Sequence, residues 1–465
     1  MTTADASTVR LGRLENRGLL LGLSPLQTAL VGCALAVAVV AEYSAGAGGL
    51  ALTLPLWASM LALALLRFSG RPVATWLPLL SGWCRRAALA NRSFRASVGD
   101  FQQDSVSLPG VRGRLQIHEA PSSSAVLLHD AGSGTITATL RVSGRGFVLA
   151  HEDTQAMRVV GWGRLLAGLC QQRSVLRVQV LARHAAGGGP EVRRWWADNA
   201  VEQSPWAARV LADLVSDAAE HADTHDCLIS VTLRASRASR RLALEAVEQQ
   251  LESLAEAARQ ADLTVHGWLN AQALSTALRS TFDPEAASVG VSATLVGPLA
   301  VEESWTALQT DSAHHCVYWI QEWPRTDVHA GFLQPLILSP GARRTVSFTA
   351  EPVAAAKAIK DIRRAKVEQI ADAAQRSRLG QVEDESVRAE AEDLVRRERE
   401  LVSGHGDLRF VGLLTVTASS PEELASACVA TEAAAAQALC ELRKLVGQQA
   451  SAFACGALPL ARRIS

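Results

Sequence analysis

The sequence predicts an α+β protein: an N-terminal transmembrane helical hairpin followed by a cytoplasmic mixed α/β domain with a protruding charged helix pair. Three observations carry this. Two uncharged apolar runs lie near the N-terminus, at about 26–41 and 50–66. Beyond residue 100, strand-like alternation is interleaved with helical periodicity. Between Lys357 and Glu400, eleven basic and eleven acidic residues crowd a stretch with a thin apolar stripe. The expected segments are a tail with both spans (1–68), a juxtamembrane interfacial helix (69–100), two α/β subdomains (101–198 and 199–352), the charged helix pair (353–403) and a strand and helix returning to the sheet (404–465).

At 465 residues the chain is too long for one ordinary domain. Apolar residues make up 48% of it and the mean hydropathy is +0.11, so a membrane segment is to be sought. Forty-six basic residues balance forty-six acidic ones. No global field draws this chain to nucleic acid, and the tryptophans form no basic, aromatic-rich face. Eight cysteines are scattered without a C-x-x-C pair, which fits separate reduced thiols better than a disulfide frame or a zinc site.

Each apolar run is close to the shortest that spans a bilayer, since about 20 helical residues cross the hydrocarbon core. The connecting "EYSAGAG" carries no Lys or Arg, whereas Arg10, Arg13 and Arg17 precede the first run and Arg67, Arg71, Arg85 and Arg86 follow the second. Positive charge at both outer ends predicts a multi-pass inner-membrane protein with both termini cytoplasmic. A cleaved signal peptide does not fit, because a long tail with acidic members precedes the first run and a second run follows at once. Trp76 and Trp83 stand two helical turns apart among arginines. Amphipathic rings and long cationic stems favour the headgroup level, so the residues expected at the lipid interface are Arg67, Arg71, Trp76, Trp83, Arg85 and Arg86.

In the cytoplasmic portion, "TITATLRVSG", "VLRVQVLAR", "CLISVTLRA", "HHCVYWIQEWPR" and "TVSFTAEPV" read as strands. "GGGP" at Gly187 to Pro190 reads as a loop, and "RRLALEAVEQQLESLAEAARQA" as an amphipathic helix. The charged stretch reads as two exposed helices with a bend at Gly380. Ser420-Pro421-Glu422-Glu423 is a strong helix start, serine capping and proline taking the first helical position, and the last helix is expected to run to about Val446.

Few motifs carry chemistry. A P-loop needs Gly-Lys followed by Ser or Thr, and none of the four lysines (Lys357, Lys360, Lys366, Lys444) has that setting. G-x-S-x-G and H-E-x-x-H are absent. His221 and His225, with Asp223 between them, can share one helix face toward a metal. The glutamate base of a metalloprotease is missing, and a polar helix end has the same appearance. His314 and His315 open a strand and so point to opposite faces. "RVSGRGF" could cradle a phosphate but reads more simply as a tight turn. No cofactor, metal or catalytic residue is expected.

Several stretches together resemble an actinobacterial two-span membrane protein family associated with conjugation and type IV-like secretion. They are "GLSPLQTALVG", "GRPVATWLP", "LRVSGRGFVL", "WGRLLAGLC", "VEESWTALQTDSAHHCVYWIQEWPRTDVHAGFLQPLIL", "RRTVSFTAEPV", the charged pair and "FACGALPLAR". The first part looks like a PrgI/VirB-type membrane region. The later half looks like the N-terminal domain of VirB/TraC-type ATPases, in which a phrase similar to "AFACGALPL" precedes the nucleotide-binding domain. The resemblance implies a non-catalytic adaptor that docks a separate secretion or conjugation ATPase, sits among other membrane subunits and the lipid bilayer, and forms a homo-oligomer within the assembly. It implies docking through the charged pair, through Trp323 and Pro324, and through an apolar edge at Leu458, Pro459 and Leu460. An EccE-like membrane component of type VII secretion has the same layout. A membrane-tethered enzyme or ligand-binding regulator is a further alternative, with His221, Asp223 and His225 as candidates.

Overall fold

The computed structural model describes residues 8–9, 25–68, 71–89, 91–96, 105–120, 123–186, 189–200, 205–220, 223–235, 240–285, 297–324, 326–338, 342–378 and 385–464. The chain divides into two compact units, one of residues 13–93 and one of residues 1–12 with 94–465.

In the smaller unit, Pro25–Leu65 is helical apart from a kink at Gly46, where φ is 59° and ψ is −150°. Glycine alone adopts that conformation without strain. A methyl group placed on Gly49 would lie 2.5 Å from the Ala41 carbonyl oxygen, so the chain after the kink approaches the turn before it too closely for a larger residue. The Gln27 side-chain amide donates to the Ala64 carbonyl at 2.7 Å, which brings the first turn of the element beside its last. Leu26–Leu65 is long and apolar enough to cross a membrane. The helix Trp76–Ala88 follows, after a short pairing of Arg67–Phe68 with Arg71–Pro72.

In the larger unit, fourteen strands among the described residues form one sheet. In spatial order its main path runs Ser93–Arg95, Ala300–Glu303, Leu308–Gln309, His314–Glu322, Asp407–Ala418, Arg343–Val353, Val175–Ala186, Asp223–Arg234, Thr135–Ser143, Val126–Asp130, Arg114–Glu119 and Ser105–Ser107. The five strands quoted from the sequence and the strand expected within 404–465 are all present, and the central pairings are antiparallel. The boundary expected at 198/199 falls between Val175–Ala186 and Asp223–Arg234, which pair along their whole length in one sheet. Two expected subdomains therefore share a single hydrogen-bonded layer.

Both faces of this sheet are covered, and that explains strands apolar at successive positions. Adjacent residues face opposite ways, so Leu228 joins one core and Ile229 the other. The first core gathers Leu181, Leu274, Leu278, Phe282, Phe453 and Leu458. The second packs Val178 and Leu140 beneath Leu165 and Leu169 of the helix Glu152–Gln171 and beneath Leu251 and Leu254 of the helix Arg240–Gln260. On the first face Thr137 pairs with Thr232 and Thr139 with Ser230, each at 2.9 Å, while the buried Thr349 and Thr415 hydroxyls have no partner among the described residues. A buried hydroxyl without a partner costs about 1–3 kcal/mol.

Two local expectations are corrected. Gly189 and Pro190 begin the helix Gly189–Asn199, since proline is compatible with a first helical turn. The helix begun by Ser420 ends at Gln437 and does not reach Val446. Leu439 takes a φ of +55°, the chain reverses, and Glu441–Lys444 becomes a strand beside Tyr318–Glu322. The alanine-rich helix stops where a free stretch of strand edge offers backbone partners. The expected bend at Gly380 lies outside the described residues.

Candidate membrane interface and docking surfaces

In the helix Trp76–Ala88 no residue is buried. Trp76 and Trp83 are half-buried, while Leu77 and Leu80 are 43% and 44% exposed. The Arg86 and Arg92 guanidiniums lie 5.9 and 5.1 Å from the Trp83 ring centroid. This cation–π arrangement joins a flat apolar ring to charged heads that can stay in water. Arg85 is exposed on the same last turn, and Arg67 is exposed at the preceding hairpin of strands. Arg71 pairs through its backbone with Phe68. The residues expected at the interface thus lie within one short segment, 67–86.

The docking residues expected at the far end of the chain are placed differently. Leu458 is 0% exposed and Leu460 is 3% exposed, and Pro459 between them is buried. The segment lies over the sheet and is fastened there. Thr139 donates to the Pro459 carbonyl at 3.2 Å, Gln179 donates to the Cys455 carbonyl at 2.8 Å, and the Ala461 amide donates to Gln179 at 2.7 Å. Arg183 reaches the Ala277 and Ala457 carbonyls, each at 3.1 Å. Trp323 and Pro324 are buried as well. The Trp323 ring stands edge-on to Phe332, Phe348 and Phe410 at 5.7–6.4 Å. Only glycine fits at position 412 beneath it, since an added methyl would lie 2.4 Å from the indole. Trp323 and Pro324, expected to dock a partner, and Leu458, Pro459 and Leu460, expected as an exposed apolar edge, are therefore all buried within this chain. Their apolar side chains fill this chain's own core, where each large one stabilises by about 1.5–3 kcal/mol.

The charged pair is formed by Ala355–Arg378 and Glu385–Val402. Its stripe is split. Ile362 and Leu394 are 2% and 4% exposed, whereas Val367 and Ile370, three residues apart on one helix, are 66% and 71% exposed. Lys366 pairs with Glu398 between the helices, and Arg397 and Arg409 tie the pair to Asp407 and Asp361. A second apolar surface was not singled out from sequence. The helices Gly189–Asn199 and Pro205–Glu220 pack on each other and leave Trp195, Trp206 and Leu214 exposed at 61%, 72% and 58%. Two tryptophans eleven residues apart in a polar stretch were the available signal. Exposed aromatic rings of this kind mark interaction surfaces.

Of the site considered above, Asp223 and His225 lie on a strand, Asp223–Arg234. His225 meets His184 of the neighbouring strand, with nitrogens 3.1 Å apart, and Asp223 lies 3.5 Å from His184. Burial and the neighbouring His225 hold the His184 pKa below its ordinary value. His221 lies outside the described residues. No group of three His, Cys, Asp or Glu among the described residues can hold a metal. A further cluster was illegible in sequence: Tyr318 donates to Glu432 at 2.8 Å, with Lys444 5.4 Å from its ring and the Cys316 and Cys428 thiols beside it. The hydrogen bond from Cys316 pulls the Cys428 thiol down.

His315 is wholly buried between Thr310 and Thr417, at 2.9 Å from each, with Phe453 against its ring at 4.5 Å. Burial pushes its pKa down to about 3 from 6.5. The unfolded chain then binds a proton below about pH 6.5 that the folded chain refuses, so stability falls on acidification. At pH 4.5 the loss from this residue is expected to be about 3 kcal/mol. Denaturant unfolding from pH 7.5 to 4.5 measures it, and His315→Asn is expected to remove most of that slope.

No family model and no curated protein matches this chain.

Proposed function

We propose that the chain is a membrane-anchored, non-catalytic adaptor of a conjugation or type IV-like secretion machine. In this reading Pro25–Leu65 crosses the inner membrane twice as a hairpin, and the larger unit lies in the cytoplasm and docks a separate ATPase. The observation that carries it is the apolar span Leu26–Leu65, in which Leu35, Val39, Val40 and Leu52 are 61–84% exposed. Side chains so apolar and so uncovered are stable in lipid and costly in water. The kink at Gly46 and the Gln27–Ala64 hydrogen bond support two antiparallel arms. Arginines flank the span while its turn lacks Lys and Arg, which supports cytoplasmic placement of both flanks. The docking role is supported by the exposed Val367 and Ile370 on the charged pair and by the exposed Trp195 and Trp206.

The full chain is expected to stay with membranes after alkaline extraction, and a variant lacking residues 25–68 to move to the aqueous phase. Recovery of the full chain in the aqueous phase would end the anchor reading. Deletion of Lys357 to Glu400 is expected to leave insertion intact and to abolish co-purification of the ATPase. Unchanged co-purification would remove the arm from the docking surface.

A further inference from the structure

We propose that a small cavity ringed by Arg177, Arg462 and Arg463 binds a phosphate-class oxyanion. The cavity encloses about 120 Å³ on the sheet face that carries the 455–463 segment. Thr135, Thr137 and Ser133 also line it, with Asp130 at one wall. Nothing in the membrane and docking reading bears on this site.

The charge arrangement decides the ligand's sign. Arg462 is paired with Asp130, and Arg463 lies 3.4 Å from Glu351. Burial opposes ionisation of Asp130, but hydrogen bonds from Ser133 and the Arg462 guanidinium hold its pKa below the ordinary value, so that pair is ionised. Arg177 has no such partner. Its Nε is shut away from solvent and makes no hydrogen bond among the described residues. Burial disfavours its charge most; the Glu351 carboxylate partly offsets this, and the Arg462 and Arg463 guanidiniums repel it. Three guanidiniums against two carboxylates leave one positive charge uncompensated beside the cavity.

A guanidinium that lines a cavity and has no ion-pair partner among the described residues is stabilised by an anion held in that cavity. Guanidinium forks match the geometry of tetrahedral oxyanions. The hydroxyls suit the same ligand. Ser133 and Thr135 are 2.7 Å apart and Thr137 and Thr232 are 2.9 Å apart. The Thr135 and Thr137 hydroxyls line the cavity, where a hydroxyl can donate to an oxyanion. The volume fits a single oxyanion, and Arg463, 65% exposed, forms the rim through which a phosphoryl group on a larger molecule would also enter. The segment that closes the cavity is the one held over the sheet by Gln179 and Thr139, so its walls are pre-formed.

The test is calorimetric titration of the detergent-solubilised full chain, in low chloride, with inorganic phosphate and separately with glycerol phosphate. Saturable phosphate binding at one site per chain is expected. Arg177→Gln is expected to weaken it about tenfold or more. Arg463→Gln, at an exposed side chain whose loss leaves folding intact, is expected to weaken it by a smaller factor and decides the matter should Arg177→Gln not fold. Binding of phosphate alone assigns a free anion, and binding of both assigns a terminal phosphoryl group. Absence of saturable binding of either to the wild type, or binding undiminished in both variants, would overturn the proposal.

Discussion

Leu458→Ala is expected to lower unfolding stability by about 3–5 kcal/mol, as large-to-small changes do at fully buried sites that cannot collapse. Leu458 is 0% exposed and lies in the core with Phe282, Leu278 and Phe453. The segment around it is pinned on both sides by Arg183 and Gln179, so neighbouring backbone has little freedom to fill the space. The result separates two roles for one residue. A side chain kept for a partner's surface leaves the isolated chain's stability unchanged when truncated and alters only the complex. Denaturant unfolding of the purified chain measures the first quantity directly. A change below about 1 kcal/mol would return Leu458 to the surface.

Arg279→Met is expected to cost about 3–5 kcal/mol for a different reason. Arg279 is 5% exposed and donates to Asp283 at 2.6 Å, to Asp311 and to the Gly297 carbonyl at 3.0 Å. Asp311 in turn accepts from the Leu299 and Ala300 amides at 2.7–3.0 Å. Removal of the guanidinium leaves two largely buried carboxylates facing each other without a cation. Methionine preserves much of the volume, so the loss reports charge and not cavity. A lowered midpoint is expected in thermal unfolding at pH 7. Asp311→Asn combined with Arg279→Met should be milder than Arg279→Met alone, which a double-mutant cycle measures.

Several elements were legible because their patterns are local. The strands around "TITATLRVSG" and "TVSFTAEPV" announce themselves by alternation, and Ser420 caps its helix by accepting from the Glu423 amide at 3.2 Å as the sequence implies. The Trp76–Trp83 spacing placed both rings on one short amphipathic helix. The opposed faces of His314 and His315 also follow from strand geometry, since His315 alone enters the core. The failures share a cause. Trp323 and the Leu458–Leu460 stretch are apolar, and an apolar stretch reads alike whether a partner or the same chain covers it.

What the sequence alone determined is which segments are apolar, which alternate, and where charge is balanced, because these depend on residues a few positions apart. The tertiary structure decided what covers each apolar face and which distant polar groups meet. It joined two expected subdomains in one sheet, turned the 457–460 stretch inward, set His225 on a strand against His184, and brought Arg177 to Arg462 and Arg463. Those outcomes depend on strand order and register between residues far apart in the chain, where local periodicity carries no information.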